Sequence, residues 1–379
     1  MTFRNKAALA ALLLLGSVPA TVLAQTSPSV PEGAPPAGVA RQRQLDIEKT
    51  LPKMDVTEQV INFHIPDMTM GETMGVSTNS KGHLFVYSRT NPQGIARGGQ
   101  AAMLFEFDQN YKYVKQWGPH NYAASFAHSV RVDKNDNVWM IDEGSDMIVE
   151  FDPTAEPIAE YGRTPEAIDY LEETIEKKGR GYSDAGAGRP VDYIENLHPK
   201  GRMGEFNRPT DVTWDSQGNL YASDGYGNSR VVKITPGGKW IKSVGTWGAG
   251  PNQFNIVHSM AADAKDTIYA ADRNNGRIQV YDTDLNFKKS ITGEGQPWGI
   301  CVTPASAGKQ WLFSGDGGTG KLYKIDLDSG QVVGWAQTSL GHGEDDTGRL
   351  IHEISCAGAN TVFLGSGVVW SVTKVTINN

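Results

Sequence analysis

The chain has 379 residues with a net charge of −8, 39% apolar residues, 43 glycines and two cysteines. That charge speaks against a nucleic-acid or anionic-membrane partner, since both need a basic face. The glycine and aromatic content, with turn signals throughout, favours an all-β chain of one large domain or two ordinary ones.

Residues Met1 to Ala24 read as a cleaved secretory signal: Arg4 and Lys6, an apolar run from Ala8 to Gly16, then Val22-Leu23-Ala24. The apolar run is too short to span a bilayer, and Gln25 instead of Cys follows Ala24, which argues against lipoprotein anchoring. A secreted or periplasmic, monomeric protein with no membrane partner is expected. Residues 25–58 open with four prolines among Ser, Gly and Ala before Gln44, and read as a disordered linker.

Residues 59–379 are repetitive. Asp133 and Asp142, Asp215 and Asp224, and Asp263 and Asp272 each stand nine residues apart, and Asn79 with Ser88 keeps the offset. The surrounding text rhymes: GVSTNSKGHLFVYS, HSVRVDKNDNVWMID, TDVTWDSQGNLYASD, HSMAADAKDTIYAAD. In Phe206–Gly248 the spacing predicts four strands, at Val212–Trp214, Leu220–Ser223, Val231–Ile234 and from Pro236-Gly237-Gly238 to Trp247-Gly248. Four strands joined by tight turns are the unit of a β-propeller blade. Pro297–Ile325 and His352–Val375 are degenerate units, and the second stops after three strands. The alternating segment Gln59–Ile65 can supply its fourth, which closes the ring without a free edge. The expected fold is an all-β, six-bladed propeller.

Residues 164–204 fit no repeat. Pro165 to Lys178, with its leading proline, early acids and late lysines, predicts a short helix in an insertion between blades two and three. Such an insertion reads as surface decoration, with a lid as the alternative. Cys301 and Cys356 fall on inner strands of neighbouring blades, where they either bridge or remain buried thiols.

Five residues before each turn Asp the repeat holds one equivalent slot: Met74, His128, Thr210 and His258 in the first four blades, and His352 in the sixth. Histidine thus recurs on alternate blades, and equivalent inner-strand positions lie near the axis. Three converging imidazoles suit zinc, which keeps a fourth position for water or substrate. The alternative is three unrelated histidines, each satisfied by a neighbour. Just after the second polar position stand Arg89 and Arg273, on opposed blades, with Tyr226 one residue further on in blade three. Arginine forks suit a carboxylate, and a tyrosine beside zinc and arginine should have its pKa lowered enough to serve as a base. Singly, each has an ordinary reading as a surface salt bridge or turn packing. Arg230, Arg277, Asp142, Asp224 and Asp272 are assigned to packing and turns.

The units are similar to NHL repeats. SDGYGNSRVVKITPGGKWI, VHSMAADAKDTIYAADRNNGRIQVY and FAHSVRVDKNDNVWMID resemble the peptidyl-α-hydroxyglycine α-amidating lyases from about Gly71 onward, apart from the insertion. The resemblance implies a six-bladed propeller with zinc on His128, His258 and His352, a catalytic Tyr226, and active-site Arg89 and Arg273. It also implies a structural calcium at the carbonyls of Val76 and Val130 and the side chain of Glu353, where the family has Asp. Gly227 and Ser88 replace a family cysteine and histidine. The implied activity is zinc-dependent cleavage of an N-acyl or peptidyl α-hydroxyglycine, a small-molecule or peptide substrate with a free carboxylate, to an amide plus glyoxylate. Two rivals remain: a non-catalytic NHL propeller binding a protein or glycan, and a calcium-dependent lactonase of the gluconolactonase type. The latter calls for inward Glu, Asn and Asp ligands.

Overall fold

The computed structural model describes residues 37–90, 102–163, 201–341 and 350–378. The signal-like segment and residues 164–200 of the insertion, with its expected helix, lie outside them.

The described residues form four separate four-stranded antiparallel sheets and one eight-stranded sheet, with a two-stranded pair beside them. The four run from Ala127–Val132 to Pro157–Gly162, from Asp211–Trp214 to Trp240–Val244, from Val257–Ala262 to Phe287–Thr292, and from Pro297–Val302 to Val332–Gln337. In the eight-stranded sheet, the strands from Glu72–Thr78 to Tyr113–Trp117 meet those from Ile351–Cys356 to Val372–Ile377 at the single pair Thr73–Ser366. The first strands of the successive repeats touch in chain order, and Ile351–Cys356 touches Glu72–Thr78. The chain is a β-propeller.

Each repeated turn residue closes its hairpin through its own side chain. Asp133 Oδ1 accepts from the N–H groups of Asn135 and Asn137, Asp215 Oδ1 from Gln217 and Asn219, and Asp263 Oδ1 from Lys265 and Thr267. Asn79 Oδ1 does the same for Lys81 and His83. This is why a short side-chain acceptor recurs there. The second polar position is buried and also works locally. Asp224 accepts from Asn207 N–H, Asn228 and Arg230, and Asp272 accepts from Asn255 N–H, Asn275 and Arg277. Arg230 and Arg277 spend their remaining donors on loop carbonyls, at Gly201, Arg202 and Glu205 and at Gly250 and Gln253. Apolar faces of adjacent sheets fill the space between them, for example Trp139, Ile141 and Ile148 against Val212, Leu220 and Val232.

The N-terminal strand is Val56–Ile61, three residues earlier than the alternation placed its start, and it pairs antiparallel with Val372–Ile377. The fourth strand of the 206–248 unit ends at Val244, before Trp247. Thr246–Trp247 instead makes a parallel pair with Gln253–Phe254. Cys301 and Cys356 are disulfide-bonded across neighbouring inner strands.

The linker assignment needs a larger correction, because Ala37–Thr50 is a helix. It docks by polar side chains, which is why hydrophobicity did not disclose it. Gln44 donates to Asp316 (2.7 Å), while Glu48 accepts from Lys321 (2.6 Å) and from the Tyr323 hydroxyl (2.6 Å). Lys321 faces Asp316 across its hairpin as Arg277 faces Asp272. Here the helix supplies partners that elsewhere come from within the blade.

Candidate metal centre

The slot residues converge because the backbone is irregular where they sit. In five of the inner hairpins the ladder breaks register, skipping one residue between Thr73 and Gly75, Ala127 and Ser129, Val257 and Ser259, and Pro297 and Gly299, and two between Ile351 and Ile354. A bulge of this kind removes a residue from the pairing and re-aims its side chain. The residues so released are Met74, His128, His258, Trp298 and His352, the last together with Glu353.

The three imidazoles are buried and form a nearly equilateral triangle. Ring centroids are 4.7 Å apart for His128–His258, 4.6 Å for His128–His352 and 4.8 Å for His258–His352. Each Nδ1 bonds the backbone carbonyl of the slot residue in the next repeat: His128 to Thr210 (2.6 Å), His258 to Trp298 (2.7 Å) and His352 to Met74 (2.9 Å). A carbonyl only accepts, so the proton sits on Nδ1 and the Nε2 lone pair is left over. The Nε2 of His258 is buried with no hydrogen-bond partner among the described residues. Burial holds all three imidazoles well below the usual histidine pKa. Neighbouring positive charge adds to this, from Arg89 for His128, from the other two imidazoles for His258, and from His128 and Arg89 for His352.

Three neutral nitrogen donors within 4.8 Å of one another fit a metal ion. A tetrahedral ion with bonds of about 2.0–2.1 Å separates its ligand atoms by about 3.4 Å, so a small inward shift completes the site.

Around this triangle the structure gathers Tyr226, Arg89 and Arg273. The Tyr226 hydroxyl lies 3.4 Å from His128 Nε2 and 3.4 Å from Arg273 Nη1. Gly225 makes this approach: a Cβ there would fall 1.9 Å from the Val257 carbonyl oxygen, so the chain can pass only without one. Arg273 stacks 4.2 Å over Trp298 and donates to Asn274 and the Tyr226 hydroxyl, with no carboxylate paired to it among the described residues. Arg89 is buried over Phe126, donates to Ala127 O, and lies 3.7 Å from Glu72 and 3.5 Å from Glu143. Neither arginine makes the surface salt bridge that was its ordinary reading.

The expected fall in the Tyr226 pKa is not what the protein environment alone gives. Burial raises it, Glu143 adds to the rise, and Arg273, Arg208 and Arg89 pull it back only in part.

The calcium implied by resemblance does not fit. Glu353 is met by N–H and O–H donors: Arg131 Nη2 at 2.9 Å, Ser129 Oγ at 2.7 Å and Val130 N–H at 3.4 Å. A guanidinium occupies the charge partnership that the divalent ion would need. The replaced family cysteine is also accounted for locally. Gly227 N–H donates to Asn207 O (3.1 Å), and a Cβ at Gly227 would strike the Asn207 side chain.

Sequence reading missed three residues of the site. Trp298 fills the slot of the fifth repeat and could have been found by aligning PWGICV with AHSVRV. Glu143 stands at the repeat position of Arg89 and Arg273. Arg208 lies 4.5 Å over the Tyr226 ring and is held by Glu143, with Nε at 2.9 Å from Oε1. Arg208 has φ +60°, and Ile256 and Leu350, two residues before their own slots, share the left-handed backbone. Non-glycine residues rarely adopt it outside constrained sites.

No protein-family profile matches the chain. Curated relatives named as amidating lyases, amidating monooxygenases and NHL repeat-containing proteins match at 21–29% identity. The peptidylglycine α-amidating monooxygenase of Rattus norvegicus is 23% identical over 338 residues, 81% of this chain, which spans 30% of that protein's length. A probable peptidyl-α-hydroxyglycine α-amidating lyase of Caenorhabditis elegans is 21% identical over 282 residues, covering 69% of this chain and 70% of that one. Among solved structures, a streptogramin B lyase superposes with a TM-score of 0.51 at 12% identity, over 85% of this chain and 98% of that one. At that identity the likeness speaks for the propeller fold alone.

Proposed function

We propose that the protein is a zinc-dependent lyase that cleaves an N-acyl or peptidyl α-hydroxyglycine to an amide and glyoxylate, in the periplasm or outside the cell. The observation that carries this reading is the triangle of imidazoles whose Nδ1 atoms are tied to carbonyls and whose Nε2 atoms are left for a metal. Counting the eight-stranded sheet as two blades that touch at Thr73–Ser366 gives a six-bladed ring. The lyase names of the relatives support the class of reaction.

Zinc, when bound, supplies a Lewis acid that makes the α-hydroxyl easier to deprotonate. Arg273, which pairs with no carboxylate among the described residues, and Arg89 bind the substrate carboxylate and fix the α-carbon beside the imidazoles. Tyr226 takes the hydroxyl proton at its phenolic oxygen, and the nearby Arg273 favours the phenolate. As the hydroxyl oxygen forms its C=O bond, the C–N bond breaks. The electron pair goes to the amide nitrogen, which takes up the proton from Tyr226. Atoms balance without water, so the reaction is an elimination.

The test is to incubate the purified protein with a benzoylated α-hydroxyglycine and measure glyoxylate and amide. Equal amounts of the two, lost on zinc chelation and restored by zinc, are expected. Lactone opening without glyoxylate, or no turnover with tolerance of alanine at all three histidines, would favour the rivals.

A further inference from the structure

Beneath the imidazoles the axis is filled by a second polar layer. The axial cavity lined by the three histidines has Ser129, Asp211, Ser259 and Glu353 at its floor. Into that layer Arg131 extends from the inner strand Ala127–Val132, and its side chain is buried. Its Nε and Nη2 grip the two oxygens of Asp211 at 2.8 and 2.5 Å. Nη2 also lies 2.9 Å from Glu353 Oε1, 3.0 Å from Ser259 Oγ and 3.4 Å from Ile300 O, while Nη1 donates to Ile354 O at 3.0 Å.

The partners come from four other inner strands: Asp211, Ser259, Ile300 and the pair Glu353–Ile354. Asp211 is in turn saturated, since its carboxylate also accepts from Val212 N–H and Met260 N–H, both at 2.8 Å. Two carboxylates pointing into a buried axis from separate strands repel each other and need a cation between them. A planar guanidinium meets that need with a fixed fork of donors and remains charged at any working pH.

We propose that Arg131 is the built-in structural cation of the propeller axis, so that the inner strands are tied together without a divalent ion. The charge is attached to the chain, so axial integrity should not depend on the calcium supply. The proposal concerns the layer below the histidines and does not depend on the reaction they serve.

The test is thermal melting and calcium calorimetry of the zinc-loaded protein, wild type beside Arg131→Ala. Wild type is expected to bind no calcium and to melt at the same temperature with and without millimolar calcium. Arg131→Ala leaves Asp211 and Glu353 facing each other. It is expected to melt roughly 10 °C lower and to recover part of that loss in calcium. If the variant does not fold, the wild-type arm decides alone. Stoichiometric calcium binding that stabilises wild type would overturn the proposal. So would a variant that melts like wild type, or a destabilised one that no divalent cation helps.

Discussion

Replacing His258 by alanine is expected to empty the metal centre and to lower kcat/KM for glyoxylate release by at least about a thousandfold. That is the several kcal/mol that Lewis-acid activation contributes. His258 is cleaner to remove than His128, whose Nε2 faces the Tyr226 hydroxyl. The His258 Nε2 has no protein partner among the described residues, so the metal-free fold loses mainly the bond from Nδ1 to Trp298 O. One ordinary hydrogen bond is worth about 1 kcal/mol, so the metal-free variant should unfold near the metal-free wild type. Metal per chain, measured alongside activity and melting, separates the two effects. A variant that keeps its zinc and its turnover would remove His258 from the ligand set.

Tyr226→Phe should lower kcat by a factor of roughly 10² to 10⁴, the usual range for loss of a general base, with KM little changed and zinc retained. The reasoning rests on what the hydroxyl touches. It is the one polar atom of the side chain and lies 3.4 Å from both His128 Nε2 and Arg273 Nη1. The ring itself is held between Arg208 and Arg273, at 4.5 and 5.5 Å from its centre, and phenylalanine preserves that packing. Because burial raises the phenol's pKa, the arginines alone do not make Tyr226 a ready base. Its activity should therefore need the metal as well. Full turnover in Tyr226→Phe would move proton transfer to another group, with Glu143 the nearest carboxylate on Arg208.

The parts of the fold that could be read from the sequence were those fixed by local, repeated chemistry. Asp133, Asp215 and Asp263 each close a hairpin with their own carboxylate, so their spacing printed the repeat directly into the chain. The histidine slots were legible for the same reason, since one backbone irregularity recurs and whatever stands there is aimed inward. What could not be read depends on partners far along the chain. The helix Ala37–Thr50 is secured by Asp316, Lys321 and Tyr323, more than two hundred and seventy residues away. Arg131 carries no repeat signal of its own, and its role needs Asp211 and Glu353 beside it. The resemblance misled about calcium for this reason: it carried Glu353 across without the arginine that answers it. Arg208 was missed because it lies on a loop two residues before a slot held by threonine, where no histidine drew attention to it.

The proposed chemistry needs three imidazoles from alternate repeats on one zinc ion. X-ray absorption at the zinc edge, on protein purified without added metal, tests it most directly. About one zinc per chain is expected, bound by three imidazole nitrogens at about 2.0–2.1 Å and by one oxygen. Protein free of zinc, or zinc bound by fewer than three imidazoles, would contradict it.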